Sequence, residues 1–402
     1  MKIALRVILV SLLALITGTG CWDRRELNEL GIQLGAAIDK SSEGYELSVQ
    51  VVDPGQVASA KGSGGINRAP VTMYKASAPS ILEAYRKLTQ TSPRKIYNSH
   101  LRVLVIGEEL ARDGIAKALE MQSRGSESRT DFFIMIARKT SAENVLKIIT
   151  PLEKIPANKM YYSLDASARS WAPTTTFTLD KFINQLVTDG LNPVLTGIDI
   201  VGSQHEGESN RNVQNIDPAA RLVFSGLAVF RRDKLVGWLN EEESRGYNII
   251  MNNLYSTAGP VTCPNGGNVI VEILRSHTKM TGKMVGDKPV IDLTFTAEAN
   301  VGEIACDIDI TDPQSLRQLE KTAAKLTVKA LDETIDSVKQ KYNTDIFGFG
   351  DAIHRYHPRQ WKKVKDKWAN EMFQRTEVRF HIHFYIRRTS TKGNSFIEDL
   401  KR

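Results

Sequence analysis

Between residues 45 and 52 the chain alternates: Tyr45, Leu47, Val49 and Val51 are apolar, while Glu46, Ser48 and Gln50 are polar. A period of two puts the two sets on opposite faces of an extended segment, which predicts a half-buried strand. The run "GIQLGAAI" at 31–38 reads as the strand before it. A helix is expected over 80–91, with Ile81, Leu82, Tyr85 and Leu88 on one side. From His100 the pattern turns regular. "HLRVLVIG" reads as a strand, "EELARDGIAKALEMQ" as a helix, "DFFIMIAR" as a strand, and "TSAENVLKII" as a helix opened by a Thr140 and Glu143 capping box. Helices over 159–169 and 179–188 and a strand over 194–201 complete an alternation that implies mixed α/β structure.

The stretch 202–218, "GSQHEGESNRNVQNIDP", is polar and loop-like, and the main domain boundary is expected there. Beyond it "RLVFSGLAVF" and "LVGWL" flank a turn at 231–234 and read as a hairpin. Asn240 is placed to cap a helix whose first turn holds Glu241, Glu242 and Glu243, the charge that a helix N-terminus favours. Further strands are expected over 269–278 and 290–299. Thr311-Asp312-Pro313 opens the longest helix. Its apolar stripe runs Leu316, Leu319, Ala323, Leu326 and Ala330, then Leu331, Ile335, Val338 and Tyr342, and it is expected to lie on the chain's own sheet rather than in an external coiled coil. The final strand, "VRFHIHFYIRR", alternates Val378, Phe380, Ile382, Phe384 and Ile386 with Arg379, His381, His383, Tyr385 and Arg387. The fold class is therefore mixed α/β (α+β): a multi-domain ectodomain of mixed sheets with packed helices. In its C-terminal domain a long helix lies on a mainly antiparallel sheet.

The strongest apolar run, 7–16, would reach about 15 Å as a helix, half the thickness of a membrane core, so it does not span. With Lys2 and Arg6 before it and Thr17-Gly18-Thr19-Gly20 after it, it has the three sections of a secretory signal. Cys21 follows at once, as in a bacterial lipoprotein signal, where the thiol takes a diacylglyceryl group and becomes the new N-terminus. Gly18 stands where Leu or Val is commoner. The expected organisation is a signal peptide at 1–20, an N-terminal domain at 21–210 that can hold two subdomains, a C-terminal domain at 219–390 and a polar tail at 391–402, within the two or three domains that 402 residues allow. Cys21 is the one site residue. The remaining cysteines, Cys263 and Cys306, are read as buried free thiols, although oxidising surroundings would let them pair.

Composition adds exclusions. The net charge is +7, of which Lys2 and Arg6 supply two, and no stripe of basic residues interleaved with aromatics is present. That argues against nucleic acid and for tolerance of an anionic membrane surface. No Gly-x-Ser-x-Gly, Walker loop, Cys-x-x-Cys or Gly-x-Gly-x-x-Gly occurs, which lowers the case for an enzyme. The glycines of 62–70 lack the residues that follow in a phosphate loop. His381 with His383, and His354 with His357 and Asp351, fall short of a metal ligand set, so no metal or cofactor is expected. "HEGES" at 205–209 is half a zinc-protease motif on a loop, and "FGFGD" at 347–351 reads as a helix C-cap and turn. His100 reads as a structural histidine. The stretch 359–373 is a basic amphipathic helix whose Trp361, Val364, Trp368 and Met372 are expected to pack in the core rather than on a membrane.

Taken together, "GCWDRREL", "HLRVLVIGEELARDGI" followed by "ESR", "FSGLAVFRRDKLVGWL" and "TDIFGFGDAIHRYHPRQWKKVK" with the final "VRFHIHFYIRR" resemble the Ger(x)C family, the C-subunit lipoproteins of spore germinant receptors. The resemblance implies a non-enzymatic lipoprotein on the outer face of the spore inner membrane. It also implies partnership with a polytopic transporter-like subunit and a further membrane subunit in nutrient-triggered germination. Cys21 carries over as the lipidated residue. The alternative is an extracytoplasmic solute-binding protein that captures the nutrient itself, although no cluster of aromatics and charges in the sequence marks a ligand cleft.

Overall fold

The computed structural model describes residues 3–4, 6, 26–55, 69–125 and 127–389. Cys21, nearly all of the signal segment, most of the glycine-rich stretch 62–70 and the tail 391–402 lie outside the described residues. Among the described residues the strands form two sheets. The first has nine strands: β1 (Leu30–Ser41), β2 (Gly44–Val52), β3 (Val71–Ala78), β4 (Lys95–Tyr97), β5 (Val103–Gly107), β6 (Phe133–Ala137), β7 (Val194–Gly202), β8 (Ala220–Arg231) and β9 (Lys234–Leu239). Their order is β3-β2-β1-β5-β6-β7-β8-β9, with β4 beside the start of β1. The β1–β5, β5–β6 and β6–β7 pairs are parallel and the outer pairs antiparallel, so the sheet is mixed.

Helices cover both faces of this sheet. Ile38, Leu104, Ile106, Ile134 and Ile136 share a core with Ile81, Leu110, Leu119 and Phe182, whereas Ala37, Val103, Val105 and Met135 pack with Val145, Leu146, Met160 and Leu164. Every residue of β5 and β6 is buried, as parallel strands sandwiched between helices must be. The same coverage corrects the expectation for β2. Its polar residues Ser48 and Gln50 are buried too, and Gln50 is satisfied by donating to the Leu146 carbonyl and accepting from the Ala157 amide.

Several local expectations also change. The segment 108–124 is two helices, Glu108–Asp113 and Ala116–Arg124, broken at Gly114, whose φ of 127° is open to glycine. Ser141, not Thr140, caps the helix Ala142–Lys147, and Asp39 accepts from the Ala142 and Glu143 amides at 2.8 Å each. Leu82 faces solvent. The polar stretch 202–218 holds two helical turns, Gln204–Gly207 and Arg211–Gln214, pinned by the buried Asn212, which bonds Ile149 and both backbone groups of Ala220. The chain leaves the first sheet only after β9.

The second sheet, in the order β10 (Thr257–Thr262), β11 (Asn268–Val285), β12 (Lys288–Ala305) and β13 (Glu377–Thr389), is antiparallel except for β12–β13. The helix Pro313–Tyr342, capped by Asp312 and ended by Asn343 in the left-handed region, lays Leu319, Ala323, Leu331, Ile335 and Val338 into the core of this half. Leu326 of the expected stripe is exposed. Cys263 and Cys306 are joined as a disulfide, which corrects the reading as free thiols: the β10–β11 turn and the end of β12 bring their Cα atoms to 6.5 Å. Trp361, Trp368 and Met372 are buried, as expected for a core-packing helix.

Candidate functional site

The fold sets a cleft beside the first described strand. Leu30, Gly31 and Ile32 of β1 pair in parallel with Lys95, Ile96 and Tyr97 of β4, and Lys95 and Ile96 line a cavity of about 720 Å³. Leu82, Tyr85, Ile96 and Met121 give it an apolar floor, and Arg86, Lys95, Lys117 and Arg124 a basic rim. Lys95 pairs with Glu127 at 2.9 Å and Arg124 with Glu120 at 2.8 Å. Among the described residues Arg86 and Lys117 have no ion-pair partner, which leaves the rim net positive. Below the floor the Tyr85 hydroxyl donates to Gln33 Oε1 at 3.2 Å and accepts from Gln122 Nε2 at 3.3 Å. Burial raises the Tyr85 phenol above its ordinary range, so it stays neutral and acts as a fixed donor. An apolar floor under unpaired cations suits the boundary between an anionic surface and water.

The residues singled out for chemistry are scattered. His381 and His383 stand on the outer face of the second sheet; Thr296 pairs with both His277 and His383, and His381 Nε2 lies 3.7 Å from Asp292 Oδ1. His354 stacks on Trp361 at 5.9 Å, Asp351 pairs with Arg355 at 2.9 Å, and His357 closes the helix Phe349–Tyr356. His205 sits in the short turn Gln204–Gly207, and His100 is exposed, edge-on to Tyr97 at 6.0 Å. Among the described residues no three His, Cys, Asp or Glu side chains gather as metal ligands. No helix there is long and apolar enough to cross a membrane.

"FGFGD" is where sequence reasoning went astray. It opens the helix Phe349–Tyr356, with Gly348 at φ 72° as its N-cap, rather than closing a helix. The buried Asp345 organises the turn: Oδ1 accepts from the amides of Phe347, Gly348 and Phe349 at 3.1, 2.9 and 3.2 Å, and Oδ2 accepts from the Gly350 amide at 2.9 Å and Trp368 Nε1 at 3.0 Å. Burial pushes the carboxyl up to about 6, against the pull of the Gly350, Phe349 and Gly348 amides and the Trp368 indole. The turn docks on the first half, where the Gly190 carbonyl accepts from the Asp351 amide and the Asn192 amide donates to the Asp345 carbonyl. A Cβ on Gly190 would lie 2.6 Å from Gly350 Cα, so both glycines serve a close backbone approach. An acidic residue followed by two spaced glycines was the available signal.

Two family models match. The "Spore germination protein N-terminal domain" model matches residues 23–200, and the model described as "Spore germination B3/ GerAC like, C-terminal" matches residues 225–390. The chain is 33% identical to spore germination protein KC of Bacillus subtilis (strain 168) over 395 residues, 97% of each chain. It is 26% identical to spore germination protein B3 of the same organism over 384 residues, 93% of this chain and 95% of that one. Among solved structures the GerBC protein matches with a TM-score of 0.55 at 21% identity, covering 88% of this chain and 97% of that chain, which is a likeness of fold.

Proposed function

The chain belongs to the GerAC-like family of spore germination proteins, and on that premise we propose that it is a membrane-tethered, non-catalytic subunit of a nutrient germinant receptor. It acts on the outer face of the spore inner membrane beside a polytopic transporter-like subunit and a further membrane subunit. The observation that carries the tether is the basic start, ten-residue apolar run and small residues that end at Cys21. The diacylglyceryl group on that thiol brings two acyl chains, each buried methylene of which supplies about 0.8 kcal/mol, and two chains hold where one does not. Confinement to the plane of the membrane raises the effective concentration beside the partners, so modest contacts suffice for assembly. Eight residues, and so nine Cα–Cα steps, separate Cys21 from Leu30. Fully extended they reach about 30 Å, so the tether keeps the basic rim of the Lys95 cleft near the lipid surface. The two family matches support residues 21–210 and 219–390 as its two modules, interlocked because β8 and β9 complete the first sheet.

Cys21→Ala tests this. The expected outcome is a folded protein released into the soluble fraction of spores, with loss of the germination response. Mass spectrometry of the wild type should find a mature chain that starts at a diacylated Cys21. A variant that stays membrane-bound and germinates normally would sink the tether.

A further inference from the structure

A second cavity, of about 700 Å³, lies on the first half of the molecule between the helix Pro156–Ser170 and residues 222–226 of β8. Lys159, Ser163 and Ser167, four residues apart along that helix, line it from one side. Arg138, just beyond β6, lines it from another, and Trp171 adds an apolar wall. Lys159 Nζ donates to the Leu222 carbonyl at 3.2 Å and has no carboxylate within ion-pair distance among the described residues. Arg138 stacks over the Trp238 ring at 4.7 Å and donates to the Ser225 carbonyl at 3.3 Å, likewise with no carboxylate partner there. The lining includes one carboxylate, Glu241, which leans to Arg245 at 3.6 Å. Ser225 Oγ is buried and unpartnered.

Two cations without a counter-charge among the described residues, one of them an ammonium held on a carbonyl and partly withdrawn from water, carry an uncompensated cost. Burial accordingly lowers the Lys159 ammonium below its ordinary range. A ligand that brings negative oxygen converts that cost into charge-assisted hydrogen bonds. We infer that this cavity is a binding site for a small organic oxyanion, held by Lys159 and Arg138. This goes beyond the tethered-subunit reading and does not rest on it: a protein with no lipid would keep the site.

The test uses the full chain in detergent micelles, with acetate and inorganic phosphate as probes titrated at ionic strength held constant with sodium chloride, and thermal unfolding as the readout. At least one probe should raise the wild-type midpoint along a saturable curve. Lys159→Met and Arg138→Gln should each weaken that binding by about tenfold or more, whereas Lys181→Met, on an exposed position of another helix, should leave it unchanged. In chloride alone Lys159→Met should melt no earlier than the wild type, because it removes an unpaired partly buried charge. Saturation by acetate but not phosphate assigns a carboxylate ligand, and the reverse assigns a phosphate ester. Equal stabilisation of wild type and both cavity variants, or no saturable effect of either probe, overturns the site.

Discussion

The two sheets, one of nine mostly short strands and one of four mostly long ones, solve opposite problems. The first is wrapped on both faces, and its central strands read as unbroken apolar runs, "VLVIG" and "FIMIA". The second is covered on one face by the helix Pro313–Tyr342. Its strands alternate, with Leu293, Phe295, Ala297 and Ala299 inward and Asp292, Thr294, Thr296 and Glu298 outward. The outer face carries His277, His381 and His383 with Arg275, Lys279 and Arg379, a polar surface left open to water. A strand's periodicity therefore reports how many of its faces are covered, not merely that it is a strand. The open sheet leaves its outer face free for contact, while the Lys95 cleft and the Lys159 cavity both lie against the wrapped one.

The sharpest way to break this contrast is to place the same residue in both sheets. Val105→Asn, in a strand buried on both sides, puts an amide among apolar side chains and is expected to cost more than about 3 kcal/mol. His383→Asn, on the open face, should stay within about 1 kcal/mol. Urea denaturation of the two variants checks the pair; a costly His383→Asn would mean the outer face is covered after all.

The next two substitutions act on the second half. Asp345→Asn exchanges one carboxylate oxygen for an amide that must face N–H donors whichever way it turns, and about 2–4 kcal/mol should be lost. Replacing Cys263 and Cys306 together by Ser opens a link between positions 43 apart and should cost about 2–4 kcal/mol. Hydrogen exchange should then rise in β10 and β11 and stay protected in β5 and β6, which would show that the two halves keep separate local stability.

Much of this fold was legible because period and capping are local. Every strand from β5 to β9 was foreseen, as were the Asn240 cap with its acidic first turn and the Asp312 start of the long helix. What escaped depended on partners distant in sequence. Ser48 and Gln50 looked solvent-facing because nothing nearby announces Leu146 and Ala157 above them. Gly190 and Gly350, 160 positions apart, meet only in the folded chain. The cavity between Lys159 and Arg138 was invisible for the same reason: no linear pattern records a missing counter-charge. The expectation at Cys21, by contrast, rests on a contiguous signal alone and draws on no fold.

The smallest loss expected of a buried side chain falls where the halves meet. Glu243 follows β9 and reaches the long helix of the second half, where its Oε1 accepts from Lys341 Nζ at 2.6 Å and from the Ser337 hydroxyl, while Oε2 accepts from the Asn240 amide at 2.9 Å. Burial works to raise its carboxyl, but the Lys341 ammonium, the Ser337 hydroxyl and the Asn240 amide outweigh it and hold the group below its ordinary range. A carboxylate so depressed binds its proton less readily when folded than when unfolded. Its stabilisation is therefore complete above the ordinary glutamate value near 4.3 and is lost as pH falls through the lower folded value. Glu243→Gln should cost about 1–2 kcal/mol at pH 7. The gap from wild type should hold down to about pH 5 and close below about pH 4. Because the bond joins the halves, the variant should also separate their unfolding transitions at neutral pH, and acid should separate those of the wild type. A gap that persists undiminished at pH 3 would mean that Glu243 acts through its packing and the helix cap rather than through its charge.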